Sequence, residues 1–174
     1  MCDWLVPKQV RRQLGADGCH SKHLTKKRRV CYLTDSLLLC GFLYFVNLPV
    51  RDLQKSMDFF GKLGFMFNPQ FTDETAACMT ISEDTFVMLL TEHKFKAFTP
   101  KQICDATKST EVLVCLSSLS RDEVSDMVRK AVAAGGTTYK EPQDHGFMYG
   151  HGFQDLDGHI WELVFMELSA SNSA

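Results

Sequence analysis

Long apolar runs are missing from this chain. The longest, Leu37 to Val46, covers about ten residues against the roughly 20 that a membrane-crossing helix needs, which excludes a transmembrane span. It lies too far from Met1 for the apolar core of a leader, and no small-residue cleavage pattern follows it. Strong net charge is also absent: the formal value is −2, which argues against nucleic-acid and membrane-surface partners. Regular cysteine spacing is absent as well. Seven cysteines is an odd number, and Cys2, Cys19, Cys31 and Cys40 crowd the N-terminal stretch, so a disulfide framework is excluded and a reducing, cytoplasmic compartment is expected. Cys19, His20 and His23 have no second ligand pair at zinc-finger spacing.

The charge that is present is unevenly spread. Residues 1–36 hold eight Lys/Arg and three Asp/Glu, while the remainder holds 11 and 18 and so carries −7. Residues 1–41 read as a basic, flexible extension, with Lys26-Lys-Arg-Arg29 as a solvated patch or an anionic-surface contact. Residues 42–168 read as one folded domain, and 169–174 as a polar tail.

Within the domain one pattern runs twice. Leu43–Leu48 favours a strand that Pro49 ends or confines to a sheet edge. Asp52 then caps a helix with Leu53, Met57, Phe60 and Leu63 at helical spacing, and Gly64 stops it. Strands follow at Phe65–Phe71, Ala76–Ser82 and Thr85–Thr91, the last two joined tightly at Glu83-Asp84. After a connection over 92–110, where Thr99 and Pro100 suit a short helix start, the order recurs. Glu111–Ser117 is a strand. Ser120 and Glu123 form a capping box ahead of Val124, Met127, Val128 and Ala131, and Gly135-Gly136 ends that helix. Strands at Thr137–Lys140, Tyr149–Asp155 and Ile160–Met166 complete the second unit, and Arg51-Asp52 returns as Arg121-Asp122. The fold class is α+β: two tandem βαβββ modules forming a curved mixed sheet with a concave cleft.

Asp155-Leu-Asp-Gly158 is a tight-turn signal, and Glu162 is the one acid in the apolar strand behind it. Period-2 alternation sends Trp161, Leu163 and Phe165 to one face and Glu162 to the other. The same alternation puts Glu111, Leu113 and Cys115 on Glu162's side. Two carboxylates in an apolar cleft would have raised pKa values, suited to abstracting a proton alpha to a carbonyl. Each could equally be paired with a neighbouring cation. Tyr149 and His151 either line the cleft and hold a polar substrate group or bond to local backbone. Gly146, Gly150 and Gly152 allow close backbone approach but make no phosphate loop.

Val50-Arg-Asp-Leu-x-x-Ser56-x-x-Phe59-Phe60-x-x-Leu63-Gly64-Phe65, together with Asp155-x-Asp-Gly158-x-x-x-Glu162, resembles the vicinal oxygen chelate superfamily of glyoxalase I, bleomycin- and fosfomycin-resistance proteins and extradiol dioxygenases. The look is nearest to small glyoxalase-like (lactoylglutathione-lyase-like) proteins. The resemblance implies a cleft that holds a divalent metal in many members, with ligand positions that fall here on Phe45, Leu89, Glu111 and Glu162. Phe45 and Leu89 cannot ligate, so it implies a small-molecule-binding protein with a degenerate metal site, Phe45 and Leu89 lining the cleft. The alternatives are a metal-dependent lyase or isomerase, with Glu111 and Glu162 as ligands or catalytic acids, and a non-enzymatic sequestering protein. A homodimer is the assembly the resemblance suggests.

Overall fold

The computed structural model describes residues 42–167. The basic extension, with its Lys26–Arg29 patch and the Cys19, His20 and His23 group, and the polar tail lie outside the described residues. Two four-stranded mixed sheets carry the duplication. The first has the order β1-β4-β3-β2, from β1 (Tyr44–Val50), β2 (Met66–Phe67), β3 (Ala76–Thr80) and β4 (Thr85–Thr91). The second has the order β5-β8-β7-β6, from β5 (Leu113–Ser117), β6 (Gln143–Asp144), β7 (Met148–Gln154) and β8 (Ile160–Met166). In each, the first strand runs parallel to the last and forms an open edge. That edge position accommodates Pro49.

Helix α1 (Leu53–Leu63) starts where the Asp52 carboxylate accepts from the Lys55 N–H at 3.1 Å, and ends at Gly64 with φ of 102°. Helix α3 (Arg121–Ala133) starts where the Ser120 hydroxyl accepts from the Glu123 N–H at 3.1 Å. Glu123 reaches back to the Leu119 N–H, one residue beyond the expected capping-box partner. The short helix of the connection forms as α2 (Glu92–Lys96), capped by Thr91, and not at Pro100. Thr99 instead closes a turn by accepting from the Lys101 N–H. The Phe65–Phe71 strand shrinks to β2, because Asn68 caps a 3-10 turn over Pro69–Phe71. Thr137–Lys140 makes a single bridge, Thr137 to Gln154.

One core serves both modules. Phe60 of α1 lies 4.9 Å from Trp161 of β8, and Phe59 lies 6.1 Å from Phe153 of β7. All four are at most 1% exposed, and each buried aromatic contributes roughly 2–3 kcal/mol by leaving water. The Asp155–Gly158 turn joins the modules covalently distant from one another. Asp157 Oδ1 accepts from the Arg51 N–H (3.0 Å) and Nε (2.9 Å), and Oδ2 accepts from the Ser56 hydroxyl (3.0 Å). Asp155 accepts from the N–H groups of Asp157 and His159 and from the Trp161 indole, each at 3.0 Å. Burial raises the Asp155 pKa, and the His159 charge with these donors opposes the rise. Gly158 sits at φ of 96° against Ala106 and Thr107, so near that an added Cβ would lie 2.7 Å from the Thr107 nitrogen.

Candidate functional site

Register decides which side chains share a face. Cys115, Glu162 and Gly152 are aligned across β5, β8 and β7, with Leu113, Ile160 and Gln154 one step away and Ser117, Val164 and Gly150 on the other side. This face is open: Leu113 is 53% exposed. In the first module Phe45, Asn47 and Pro49 align with Phe86, Met88 and Leu90. Phe45 stacks on Phe86 with centroids 5.2 Å apart. The opposite face of each sheet supplies the core.

Glu162 and Phe45 therefore lie where alternation puts them, on the faces turned away from the helices. Leu89 does not. It aligns with Leu48 and Ala77, is fully buried in the core, and cannot line a cleft on the Phe45 face. The run Phe86–Leu90 is apolar throughout, so no polar residue marks its parity. Met88 and Leu90 hold the place expected of Leu89. Tyr149 and His151 also fall on the wrong face, aligned with Phe165 and Leu163, because they alternate with Gly150 and Gly152. Tyr149 meets the Ser125 hydroxyl of α3 at 3.3 Å and lies beneath the Arg121 guanidinium. Arg121 itself pairs with Asp144 at 2.6 Å and donates to the Gly146 carbonyl.

The two acids do not share a site. Glu162 faces Cys115, whereas β5 begins only at Leu113 and Glu111 lies in the loop two residues ahead of it, not in the expected Glu111–Ser117 strand. Glu111 bonds His159 Nδ1 at 2.5 Å, and His159 Nε2 meets the Pro49 carbonyl at 2.7 Å. A carbonyl only accepts, so Nε2 is the donor to Pro49, and the other ring nitrogen is left to meet the Glu111 carboxylate. His159 is 2% exposed, and this pair ties the start of β8 to the end of β1.

Glu162 has different company. Its Oε1 accepts from Lys140 Nζ at 2.8 Å and from the Tyr139 hydroxyl at 3.1 Å. Lys140 holds the Glu162 pKa below the usual carboxylate range, with Tyr139 adding to the effect against burial. The expected rise is thus reversed. The lysine is raised in turn, first by Glu162. Burial and then Glu162 push the Cys115 thiol up, which leaves it a poor nucleophile. Tyr139 reaches this place only because residue 152 is glycine: a Cβ there would lie 2.6 Å from the tyrosine oxygen. Tyr139 and Lys140 carried no periodic signal. The glycine opposite Glu162 was the available clue to a side chain crossing the strand.

A divalent ion does not suit this donor set. Among the described residues no three His, Cys, Asp or Glu side chains lie close enough to hold a metal. Glu162 is already engaged by two donors, Glu111 is committed to His159, and the first-module positions expected to ligate are Phe45 and Leu89, which carry no donor atom.

Residues 43–82 match the family model for bleomycin resistance protein-like N-terminal domains. A hypothetical protein from S. aureus is similar in structure, with TM-score 0.60 and 32% identity, over 76% of this chain and 95% of that one. A glyoxalase/bleomycin resistance protein/dioxygenase family enzyme from Burkholderia phytofirmans PsJN aligns at TM-score 0.62 and 16% identity, covering 73% of this chain and 100% of that one. The chain belongs to the vicinal oxygen chelate superfamily. A fosfomycin resistance protein, FosX, from Listeria monocytogenes has the same superfamily fold at TM-score 0.54 and 17% identity, covering 74% and 95% of the two chains. No curated protein sequence matches the chain. Among the described residues no helix is long and apolar enough to cross a membrane.

Proposed function

We propose that this superfamily member binds a small organic molecule against the Glu162 face, without a metal and without turnover. One observation carries the reading: Glu162 Oε1 is saturated by Lys140 and Tyr139, while among the described residues no donor meets Oε2. A carboxylate held in its ionised form is a weak base but a good acceptor, so Glu162 receives an N–H or O–H of the ligand. Leu113, Ile160 and Val164 supply apolar contact around it. Gly150, with no atom nearer than 3.8 Å to where a Cβ would sit, leaves room for the ligand to approach the strand.

The site is completed by a second copy of the chain. The open edges β1 and β5 present Tyr44 (69% exposed), Phe45 (37%) and Leu113 (53%), side chains that a monomer leaves in water. Analytical ultracentrifugation of the full chain is expected to give a dimer, and a monomer at high micromolar concentration would refute this part.

The binding test is a thermal-shift screen of small aromatic amines and phenols, followed by calorimetry on the hits. Glu162→Gln is expected to weaken a hit about tenfold, the loss of a charge-assisted hydrogen bond. Stoichiometric Ni, Zn, Mn or Fe surviving chelator treatment, or isomerisation of a hemithioacetal by the protein, would overturn the reading.

A further inference from the structure

A cavity of about 700 Å³, with no residue of the Glu162 face in its lining, lies between the end of β1, α2, the loop 102–108 and the Asp155–Gly158 turn. Its walls are locked. The His159 ring bonds the Pro49 carbonyl and Glu111, Asp157 holds Arg51, and the backbone of Ala106 and Thr107 rests on Gly158. Asp105 shapes the loop by accepting from the Thr107 N–H (3.2 Å) and hydroxyl (2.6 Å) and by pairing with Lys108 at 2.8 Å. That is the preformed, mostly rigid kind of concavity in which small ligands bind.

The ligand class follows from which charged groups are already engaged. Arg51 is paired with Asp157, Lys108 with Asp105, and His159 with Glu111. Two lining groups have no such partner among the described residues, Glu92 and Lys96. They stand one helical turn apart on α2, where a Glu-to-Lys pair at this spacing ordinarily meets, yet no salt bridge joins them. A neutral wall with one unengaged anion and one unengaged cation complements a molecule bearing both signs and not a plain anion. Four residues of helix put their Cα atoms about 6 Å apart, the scale of separation for the ligand's own charges.

We propose that this cavity binds an amphoteric small molecule, an ω-amino acid or short peptide, with its ammonium group on Glu92 and its carboxylate on Lys96.

The test is isothermal titration of the full chain with γ-aminobutyrate and glycylglycine, with butyrate and butylamine as probes that each lack one charge. The expected result is saturable binding of an amphoteric probe with Kd near or below about 1 mM, at least about tenfold tighter than either singly charged control. Lys96→Glu should abolish it, the swap E92K/K96E should restore it with both signs present, and Glu162→Gln should leave it unchanged. Absence of saturable binding, equal binding of butyrate or butylamine, indifference to Lys96→Glu, or loss in Glu162→Gln would each overturn the proposal. The last of these would transfer the binding to the Glu162 face, so the two sites are told apart.

Discussion

Removing the Asp157 carboxylate should unfasten the modules from each other. Its side chain is 8% exposed and receives three donors from the first module, two from Arg51 and one from Ser56. In Asp157→Ala the Arg51 backbone N–H loses its partner at a cost of about 1 kcal/mol. The guanidinium is 60% exposed and recovers water, so that bond, discounted for solvent, contributes about 1 kcal/mol more. Ser56 keeps its bond to the Asp52 carbonyl and loses about 1 kcal/mol with the other. The expected destabilisation is about 3 kcal/mol, a drop in Tm of about 10 °C for a domain of this size. Urea denaturation at neutral pH measures it. Asp157→Asn keeps one oxygen acceptor and should lose about half, while Arg51→Ala should lose under about 1.5 kcal/mol. A cost below about 0.5 kcal/mol for Asp157→Ala, or Arg51→Ala costing as much, would refute the accounting.

Glu162→Gln should cost at most about 1 kcal/mol, since its partner lies at the surface. Because the folded pKa of Glu162 is lowered, its stabilisation is present above the ordinary carboxylate range and is lost as pH falls through the folded value; acid titration of stability in both proteins should show a difference that vanishes in acid. The raised Lys140 gives the opposite limit, with its contribution intact below the ordinary lysine value and lost as pH rises through the folded one. Gly152→Ala forces Tyr139 off Glu162 and should cost about 1–3 kcal/mol, and an unchanged Tm would show that the tyrosine is not held there. His159→Ala leaves the Pro49 carbonyl and Glu111 without their buried donor and should cost about 2–4 kcal/mol by chemical denaturation; a neutral outcome would mean the pair is not formed in solution.

Elements with a cap, a period and a stop were legible in the residues: α1 from Asp52 to Gly64, α3 from Ser120 to Gly135, and β4 and β8, whose bounds were read correctly. Short pieces were not. β6 has two residues and leaves no pattern to detect, while Thr137–Lys140, read as a strand, makes a single bridge. Face assignment succeeded where a polar residue broke an apolar run, as Glu162 does, and failed in Phe86–Leu90, where nothing did. The partners of the acids were hidden because they are tertiary: Lys140 reaches Glu162 across 22 residues, and His159 reaches Glu111 across 48. The family signature proved legible for the fold while saying little about chemistry, since Asp155, Asp157, Ser56 and Arg51 spend their polar atoms on one another and on the core.

The paired Arg-Asp dipeptides carry a consequence for how the duplicated halves depend on each other. Arg121 stays at home, engaging Asp144, Gly146 and Tyr149 within its own module. Arg51 goes abroad, to a turn that the first module does not possess, for its own β3–β4 link is Ile81-Ser-Glu-Asp84 without a glycine. The two copies have ceased to be interchangeable. A chain made of two first modules would leave each Arg51 and Ser56 without the Asp157 carboxylate, and one made of two second modules would have that carboxylate with no Arg51 or Ser56 to hold.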